Sequence, residues 1–439
     1  MDEATLFSPV SIRTKSGIVS FSHLDFPLAV GGIRMEPGVT KEEIEKLATS
    51  MALKLSTYML PFTGAKAGID NKPFDKKKLD EFIGEISPLL KGINISEINE
   101  KDWQVMGNLN GTGEIVFVTG PDMGTSEASF LDSLRKNGLE EIAREGLLSR
   151  LSEKFGLPLD NVLTGYGVVV AIEETFTALE TMNRDIDPLY GKSYTLEGFG
   201  KVASGIASLL EGRCRLRAIS NRHGTIVAHK ESEFCEDDSF VVEKILKLYK
   251  EKGDDFIFDT DLEIQPLDRL FEVSCDFVIP GTRVERVNLD IAKLIKAAGI
   301  KAVIPSANYP FTYAGRKYLE EAGITVIPDF IANAGAVIAA MLEFTSRSLD
   351  GSIEEIAMNL VHAAVSNEMK ELFLDAVACG CRIGDKVIGN EKSIYDISVD
   401  RSLSKYQFMK ETISREEARN LQKIADDFIQ RTLMGSPLI

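Results

Sequence analysis

Lys66 stands in a frame of small residues, Gly64-Ala65-Lys66-Ala67-Gly68, which lets backbone or a small molecule come close to its side chain. A lysine held in a desolvated cleft near another cation has a lowered pKa and can act as acid, base or nucleophile. Lys54 is the candidate for that cation. Ile44, Leu47, Ala48, Met51 and Leu55 recur at helical spacing, and Lys54 falls three residues after Met51 and seven after Leu47, on or beside the apolar stripe. A lysine there must find an anion or snorkel to water. Asp122 follows the apolar run Ile115 to Val118 in VTGPDMGTS, where a carboxylate just past a strand end is placed to line a cleft. Taken singly, each reads as an ordinary solvated charge. Their joint occurrence with a glycine turn further along the chain gives them weight.

That turn is Gly198-Phe199-Gly200-Lys201-Val202-Ala203, of the form G-x-G-x-x-A, and it opens a helical run from Val202 to Leu210. Glycines at such a turn let the pyrophosphate of a dinucleotide approach backbone N–H groups at the positive end of a helix. A second strand ends at Ser220, about twenty residues on, where the adenosine ribose is held in such folds. The strand expected before the turn, 191–197, is unusually polar. An acid at the end of the second strand would repel a 2′-phosphate, but here Asn221, Arg222 and His223 follow Ser220. The cofactor expected is NADP or NAD, with NADP slightly favoured.

The elements that must position these residues can be read coarsely. Gly17 to Leu24, Leu28 to Met35 and Glu114 to Thr119 read as strands and Lys41 to Met59 as a helix, with Thr40 and Glu43 as its capping box. A second unit begins near Tyr166 with the apolar run Gly167 to Ile172 and a helical stretch through Glu180. Strands at Leu216 to Ser220, Phe277 to Pro280, Lys301 to Pro305 and Thr325 to Pro328 then alternate with helices, the pattern of a parallel sheet covered on both faces. The expected fold is α/β with two domains. Residues 1–160 form an α/β substrate-binding and oligomerisation domain and 161–345 a Rossmann-type dinucleotide-binding domain. A helical segment, 346–439, folds back across the cleft, with a polar interruption between Gly384 and Ser402.

Composition narrows the function classes. A chain of 439 residues, 44% hydrophobic and 27% charged, has the balance of a packed globular protein of two domains or three. A net charge of -17 argues against nucleic acid as a main partner, because phosphate binding relies on dense Lys and Arg. The opening MDEATLFSPV is acidic and lacks the apolar core of a signal peptide. The apolar stretch Ile331 to Leu342 is broken by Asn333 and shorter than the roughly 20 residues of a membrane helix. No membrane partner and a cytoplasmic location are therefore expected. The five cysteines make neither a disulfide framework nor a four-ligand zinc site, the four histidines are scattered, and no metal is expected.

These residues carry a family resemblance. The chain resembles the Glu/Leu/Phe/Val dehydrogenases, whose substrate domain has a G-G-x-R segment, then M-x-x-K, then a lysine in a small-residue frame twelve positions later. Here these are Gly31-Gly32-Ile33-Arg34, Met51-Ala52-Leu53-Lys54 and Lys66. Asp122 matches the family's catalytic aspartate. Leu163-Thr164-Gly165-Tyr166-Gly167-Val168 is similar to its A-T-G-x-G-V. Ser306-Ala307-Asn308 and the run Pro328 to Gly335 are similar to its S-A-N and P-D-x-x-x-N-A-G, all in order between about residue 26 and residue 344.

The resemblance implies roles. Lys54 would bind a substrate α-carboxylate beside the backbone of Gly31 and Gly32. Lys66 would polarise a 2-oxo carbonyl or the water attacking an imine, and Asp122 would shuttle protons. Thr164 and Asn308 would hold the nicotinamide carboxamide, and Asn333 would position the reacting carbon. The partners implied are an amino acid, its 2-oxo acid and ammonia, and the assembly a homo-oligomer, a hexamer.

Departures from the pattern bear on the substrate. Glutamate-specific members carry a lysine just before G-G-x-R and a serine seven residues after the asparagine of N-A-G; this chain has Val30 and Ala340. A buried distal carboxylate without a partner is costly, so an apolar amino acid is the expected substrate. Glutamate is the alternative, and a non-catalytic nucleotide- or amino-acid-binding homologue is the second. Thr63 and Ala65 near Lys66, Gly281 and Thr282 after Pro280, and Ala336 after Gly335 also depart from the family's residues.

Overall fold

In the computed structural model, residues 3–98, 103–109, 113–180, 187–348, 351–381 and 392–434 are described. The N-terminal part builds a seven-stranded sheet from β1 (Val10–Arg13), β2 (Ile18–Phe21), β3 (Leu28–Glu36), β4 (Thr63–Asp70), β5 (Ile93–Asn94), β6 (Gln104–Met106) and β7 (Glu114–Pro121). Their spatial order is β5-β7-β3-β4-β2-β1-β6. The central strand β3 runs parallel to β4 and β7; every other pair in this sheet is antiparallel.

Alternation along these strands divides the labour. Ala29, Ile33, Ala65, Ala67, Ile115 and Phe117 point into a core covered by α2 (Lys76–Lys91) and α3 (Glu127–Lys136), whereas Val30, Lys66, Val116 and Val118 do not join it. The crossover helix α1 (Lys41–Thr57) lies against β4, and a Cβ on Gly64 would meet Ala52 N at 2.3 Å and Ala48 O at 2.5 Å. A Cβ on Gly68 would meet the Ile44 side chain at 2.6 Å. The glycines flanking Lys66 are thus what lets α1 lie directly on the strand that carries it.

At the start of α1, Thr40 Oγ1 accepts from Glu43 N at 3.2 Å as expected, but the reciprocal half of the box is missing. Glu43 instead accepts from Arg34 Nη1 at 2.8 Å.

The second unit opens with α4 (Leu159–Leu179). Its strands are β8 (Lys192–Glu197), β9 (Cys214–Asn221), β10 (Gly224–Val227), β13 (Phe277–Ile279), β14 (Ala302–Val303) and β15 (Thr325–Val326), in the order β10-β9-β8-β13-β14-β15. A separate ribbon pairs β11 (Cys235–Glu236) with β12 (Ser239–Phe240). Helices α5 (Lys201–Leu210), α6 (Val242–Lys252), α7 (Leu289–Ala297), α8 (Tyr313–Glu321), α9 (Asp329–Ala332) and α10 (Gly335–Ala340) fill the connections. Within the six-stranded sheet all pairs are parallel except β9 with β10, which turns back through Arg222 and His223. From β8 the chain order runs outward on both sides, to β9 and to β13, which makes the carboxyl end of β8 the switch point where such sheets bind ligands.

The polar strand before the glycine turn is real and central. Ser193 N and Oγ each donate to Asp276 Oδ2 at 2.9 Å, and the ring of Tyr194 stacks on Phe277. The run Gly167 to Ile172 is the interior of α4, which starts at Leu159, inside the span read from sequence as the first domain. By length and apolar composition α4 alone among the described helices could cross a membrane, yet it packs against α5, α10 and the long α11 (Ile353–Ala378).

The C-terminal helices are α11, α12 (Ile394–Thr412) and α13 (Leu421–Met434). The polar interruption read from 384 to 402 is overturned in its second half: Ser393 and Asp396 form a full capping box and α12 begins at Ile394, while 384–391 lie outside the described residues. Helix α12 returns to the first unit, where Ser402 Oγ lies 2.6 Å from Thr57 Oγ1 and Lys405 Nζ donates to Thr57 O at 2.9 Å.

Candidate active site

Lys66 and Asp122 come from neighbouring parts of one sheet. Lys66 sits on β4, Asp122 just beyond β7, and Lys66 Nζ lies 2.6 Å from Asp122 Oδ2. The Asp122 loop is fixed by Thr125, whose Oγ1 accepts from Asp122 N at 2.8 Å. Burial alone would raise the Asp122 carboxyl, but Lys66, then Arg34 with Nε at 3.5 Å, hold it well below the usual carboxylate range. Arg34 is itself buried between Asp122, Glu36 and Glu43. Sequence reading gave this arginine no role; the alternation of β3 was the signal, since it puts Arg34 on the face opposite Ile33.

Lys54 is buried, not snorkelling, and finds amides rather than an anion. Its Nζ donates to Asn308 Oδ1 at 3.1 Å and to Asn333 O at 3.4 Å, both on the second unit. Burial lowers its pKa to about 8, Asp329 and Asp122 opposing the shift and Lys66 adding to it. The desolvated lysine with a lowered pKa is therefore Lys54, whereas the small-residue frame draws attention to Lys66. Gly31 and Gly32 adjoin Lys66 and Asp122: a Cβ on Gly31 would overlap Ala65 O, and one on Gly32 would meet Asp122 Cβ at 2.9 Å.

Two helix crossings set the other wall. A Cβ on Gly335 would overlap Leu163 O and come within 3.1 Å of Thr164 N, and one on Gly167 would meet Ala332 O at 2.8 Å. These glycines press α4 onto α9 and α10, which puts Thr164 beside the turn of Asn333. Asn333 Nδ2 donates to Ser306 O and Ala307 O, holding the loop of Asn308, while its buried Oδ1 has no hydrogen-bond partner among the described residues. Thr164 Oγ1 donates to Asp160 O within its own helix. Val30 and Ala340 are both half-buried and pack, with Val116, Val118 and Val337, against one apolar core.

The residues of the glycine turn fit a dinucleotide. Gly198 has φ 76°, and a Cβ there would meet Thr282 Cγ2 at 2.9 Å and Gly281 O at 3.0 Å; a Cβ on Gly200 would make only an ordinary contact, with Gly198 O at 3.8 Å. The N–H groups of Gly198 and Phe199 both donate to Ser220 O, leaving the first turn of α5, from Lys201 and Val202, to offer N–H groups to an anion. The Phe199 side chain turns into the core against Tyr249 and Phe256, so only its backbone borders the turn. Asn221 is likewise committed: Nδ2 donates to Asp254 O at 2.6 Å and Oδ1 accepts from His223 N at 2.9 Å. Arg222, 68% exposed with Nε 3.3 Å from Asp254 Oδ2, is the group there free to turn to a ligand.

A family model described as Glutamate/Leucine/Phenylalanine/Valine dehydrogenase matches residues 156–383, more than half of the chain, and one described as Glu/Leu/Phe/Val dehydrogenase, dimerisation domain, matches residues 11–130. The chain belongs to this family.

It is an NAD(P)-dependent amino-acid dehydrogenase, and its cofactor is NADP or NAD. It is 28% identical over 348 residues to the NADP-specific glutamate dehydrogenase of Saccharolobus shibatae, covering 78% of this chain and 74% of that one. It is also 28% identical over 328 residues to the NADP(+)-dependent glutamate dehydrogenase of Pyrobaculum calidifontis, covering 72% and 68%. The fold is shared with the hetero-hexameric glutamate dehydrogenase of Thermus thermophilus, at TM-score 0.64 and 21% identity over 89% of this chain and 84% of that one.

The dehydrogenase's departures from its family have structural causes. Thr63 Oγ1 donates to Phe26 O at 3.0 Å. A Cβ on Gly281 would meet Glu197 O at 2.4 Å, and Thr282 Oγ1 donates to Glu197 Oε2 at 2.9 Å. Glu197, buried at the end of β8, is neutralised by Arg286 Nε at 2.5 Å. Sequence reading missed this pair, which joins the end of β8 to the loop after β13, about ninety residues on. Ala336 is a helical position of α10, where alanine is the better residue.

Proposed function

We propose that this dehydrogenase interconverts L-glutamate and 2-oxoglutarate with ammonia, preferring NADP, and works as a homo-oligomer. The observation that carries the chemistry is the Lys66–Asp122 pair, with Lys54, Asn308 and Asn333 meeting across the cleft. In this reading Lys54 binds the α-carboxylate beside the backbone of Gly31 and Gly32. Lys66 donates to the oxygen of the 2-oxo carbonyl as charge develops there, and Asp122 takes up and returns protons between nitrogen and water. Thr164 and Asn308 hold the carboxamide of the cofactor, the unpartnered Asn333 Oδ1 orients the reacting carbon, and Lys201, Val202 and Arg222 receive phosphates. The bound cofactor supplies or accepts the hydride.

Glutamate as substrate is supported by the names of the relatives, two of which are described as NADP-linked. An oligomer is supported by the neighbour from Thermus thermophilus, a hetero-hexameric glutamate dehydrogenase. A second reading, an apolar amino acid, is favoured by Val30 and Ala340, which offer a distal carboxylate no hydrogen bond or charge. Initial rates of NADPH and NADH oxidation with ammonia and either 2-oxoglutarate or 4-methyl-2-oxopentanoate separate the two. A higher kcat/KM for 2-oxoglutarate upholds glutamate. The reverse order installs the apolar substrate, and no turnover with any 2-oxo acid rejects both.

A further inference from the structure

Asp329 is wholly buried, and its carboxylate gathers separate parts of the fold. Oδ2 accepts from Ser50 Oγ on α1 at 2.7 Å and from the N–H of Tyr309, the residue after Asn308, at 2.9 Å. Oδ1 lies 3.5 Å from the Tyr395 hydroxyl on α12. Asp329 itself opens α9, whose C-cap is Asn333. Ser50 precedes Lys54 by one helical turn, so a single carboxylate ties the helix of Lys54 to the loop of Asn308 and the turn of Asn333. Tyr309 has φ 50°, a left-handed conformation that a bulky residue keeps only where its surroundings hold it.

We propose that Asp329 is a positioning residue that fixes the Lys54 helix against the loops of Asn308 and Asn333 and sets the charge balance around the Lys54 ammonium. The inference rests on the reading of Lys54 as the carboxylate-binding group. The charges facing Lys54 are Asp329 on α9, Lys66 on β4 and Asp122 beyond β7. Burial and Lys66 disfavour the ammonium, and the two carboxylates favour it. Without the charge on Asp329, Asp122 is the one carboxylate of the pair left to oppose the fall, and Lys54 loses its proton at lower pH.

The test is kcat/KM for the 2-oxo acid as a function of pH in the wild type and in Asp329→Asn, Ser50→Ala and Lys54→Met. In Asp329→Asn the alkaline limb moves down by about one pH unit or more, and KM near pH 8 rises more than kcat falls. Ser50→Ala removes one tie but keeps the charge, so its limb stays with the wild type while KM rises. A limb and KM in Asp329→Asn that match the wild type overturn the inference, as does a lowered melting temperature with an unmoved limb. Should Asp329→Asn not fold, an unchanged KM in Ser50→Ala overturns it. Wild-type KM in Lys54→Met overturns the carboxylate reading and the inference with it. A raised KM there, with an unmoved limb in Asp329→Asn, overturns the inference alone.

Discussion

Lys66 Nζ lies 2.6 Å from Asp122 Oδ2, so the lysine that would polarise the substrate and the carboxylate that would move its protons are already an ion pair. Lys66 holds Asp122 in its charged form, and substrate entry must share Lys66 between Asp122 and the incoming oxygen. Lys66→Ala is expected to lower kcat by about 10²-fold or more while the dissociation constant of NADPH, read by fluorescence, stays near wild type, because the glycine turn lies on the other sheet. Undiminished kcat would remove Lys66 from the chemistry.

The substrate pocket gives a second expectation. Under the apolar reading, Val30→Lys with Ala340→Ser should raise kcat/KM for 2-oxoglutarate relative to 4-methyl-2-oxopentanoate by about tenfold or more, since a satisfied buried carboxylate differs from an unsatisfied one by several kcal/mol. An unmoved ratio would show that neither position touches the substrate side chain.

For the cofactor, Arg222→Ala should raise KM for NADP several-fold and leave KM for NAD nearly unchanged. Asn221 is a poor place to engineer this preference, because both ends of its amide hold the β9–β10 turn. Equal effects on the two cofactors would place Arg222 away from the 2′-phosphate.

Gly198→Ala forces a side chain into φ 76° and against Thr282 and Gly281 O. It should destabilise the protein by about 1–2 kcal/mol and weaken dinucleotide binding more than 2-oxo acid binding. Urea unfolding and NADPH titration check it; a variant matching wild type in both would mean the turn relaxes freely.

His23 carries a pH dependence of stability. It is buried among Phe7, Phe26 and Tyr406, and burial lowers its pKa from 6.5 to about 4, with Asp25 opposing and Lys410 adding to the shift. The folded value lies below the unfolded one, so the unfolded chain binds the proton more tightly. This contribution is fully present above pH 6.5 and is lost as pH falls from there toward 4, by about 3 kcal/mol. His23→Phe should flatten unfolding free energy against pH in that window; an unchanged slope would exclude His23 as its source.

Local pattern was legible wherever one face of an element meets the core. The strands 28–35 and 114–119 and the helix from Lys41 were read within a few residues, because alternation and helical spacing report directly on burial. Reading was less secure where buried polar groups are satisfied by distant partners. The polar strand Lys192–Glu197 depends on Asp276 and Arg286, and α12 hides behind a polar stretch because its buried face includes Ser398 and Ser402.

The sequence by itself determined which chemical groups exist and in what order: two lysines, an aspartate, two asparagines, and the glycines where α1 lies on β4 and where α4 meets α10. Those are choices of side-chain size and charge, written residue by residue. Only the tertiary structure decided what each group faces. It turned Lys54 inward to Asn308 and Asn333, paired Lys66 with Asp122, and withdrew Asn221 and Phe199 from the cofactor face. Desolvation and Coulomb interaction depend on distances between residues hundreds of positions apart, and those distances come into being when the two sheets close on the α1 helix.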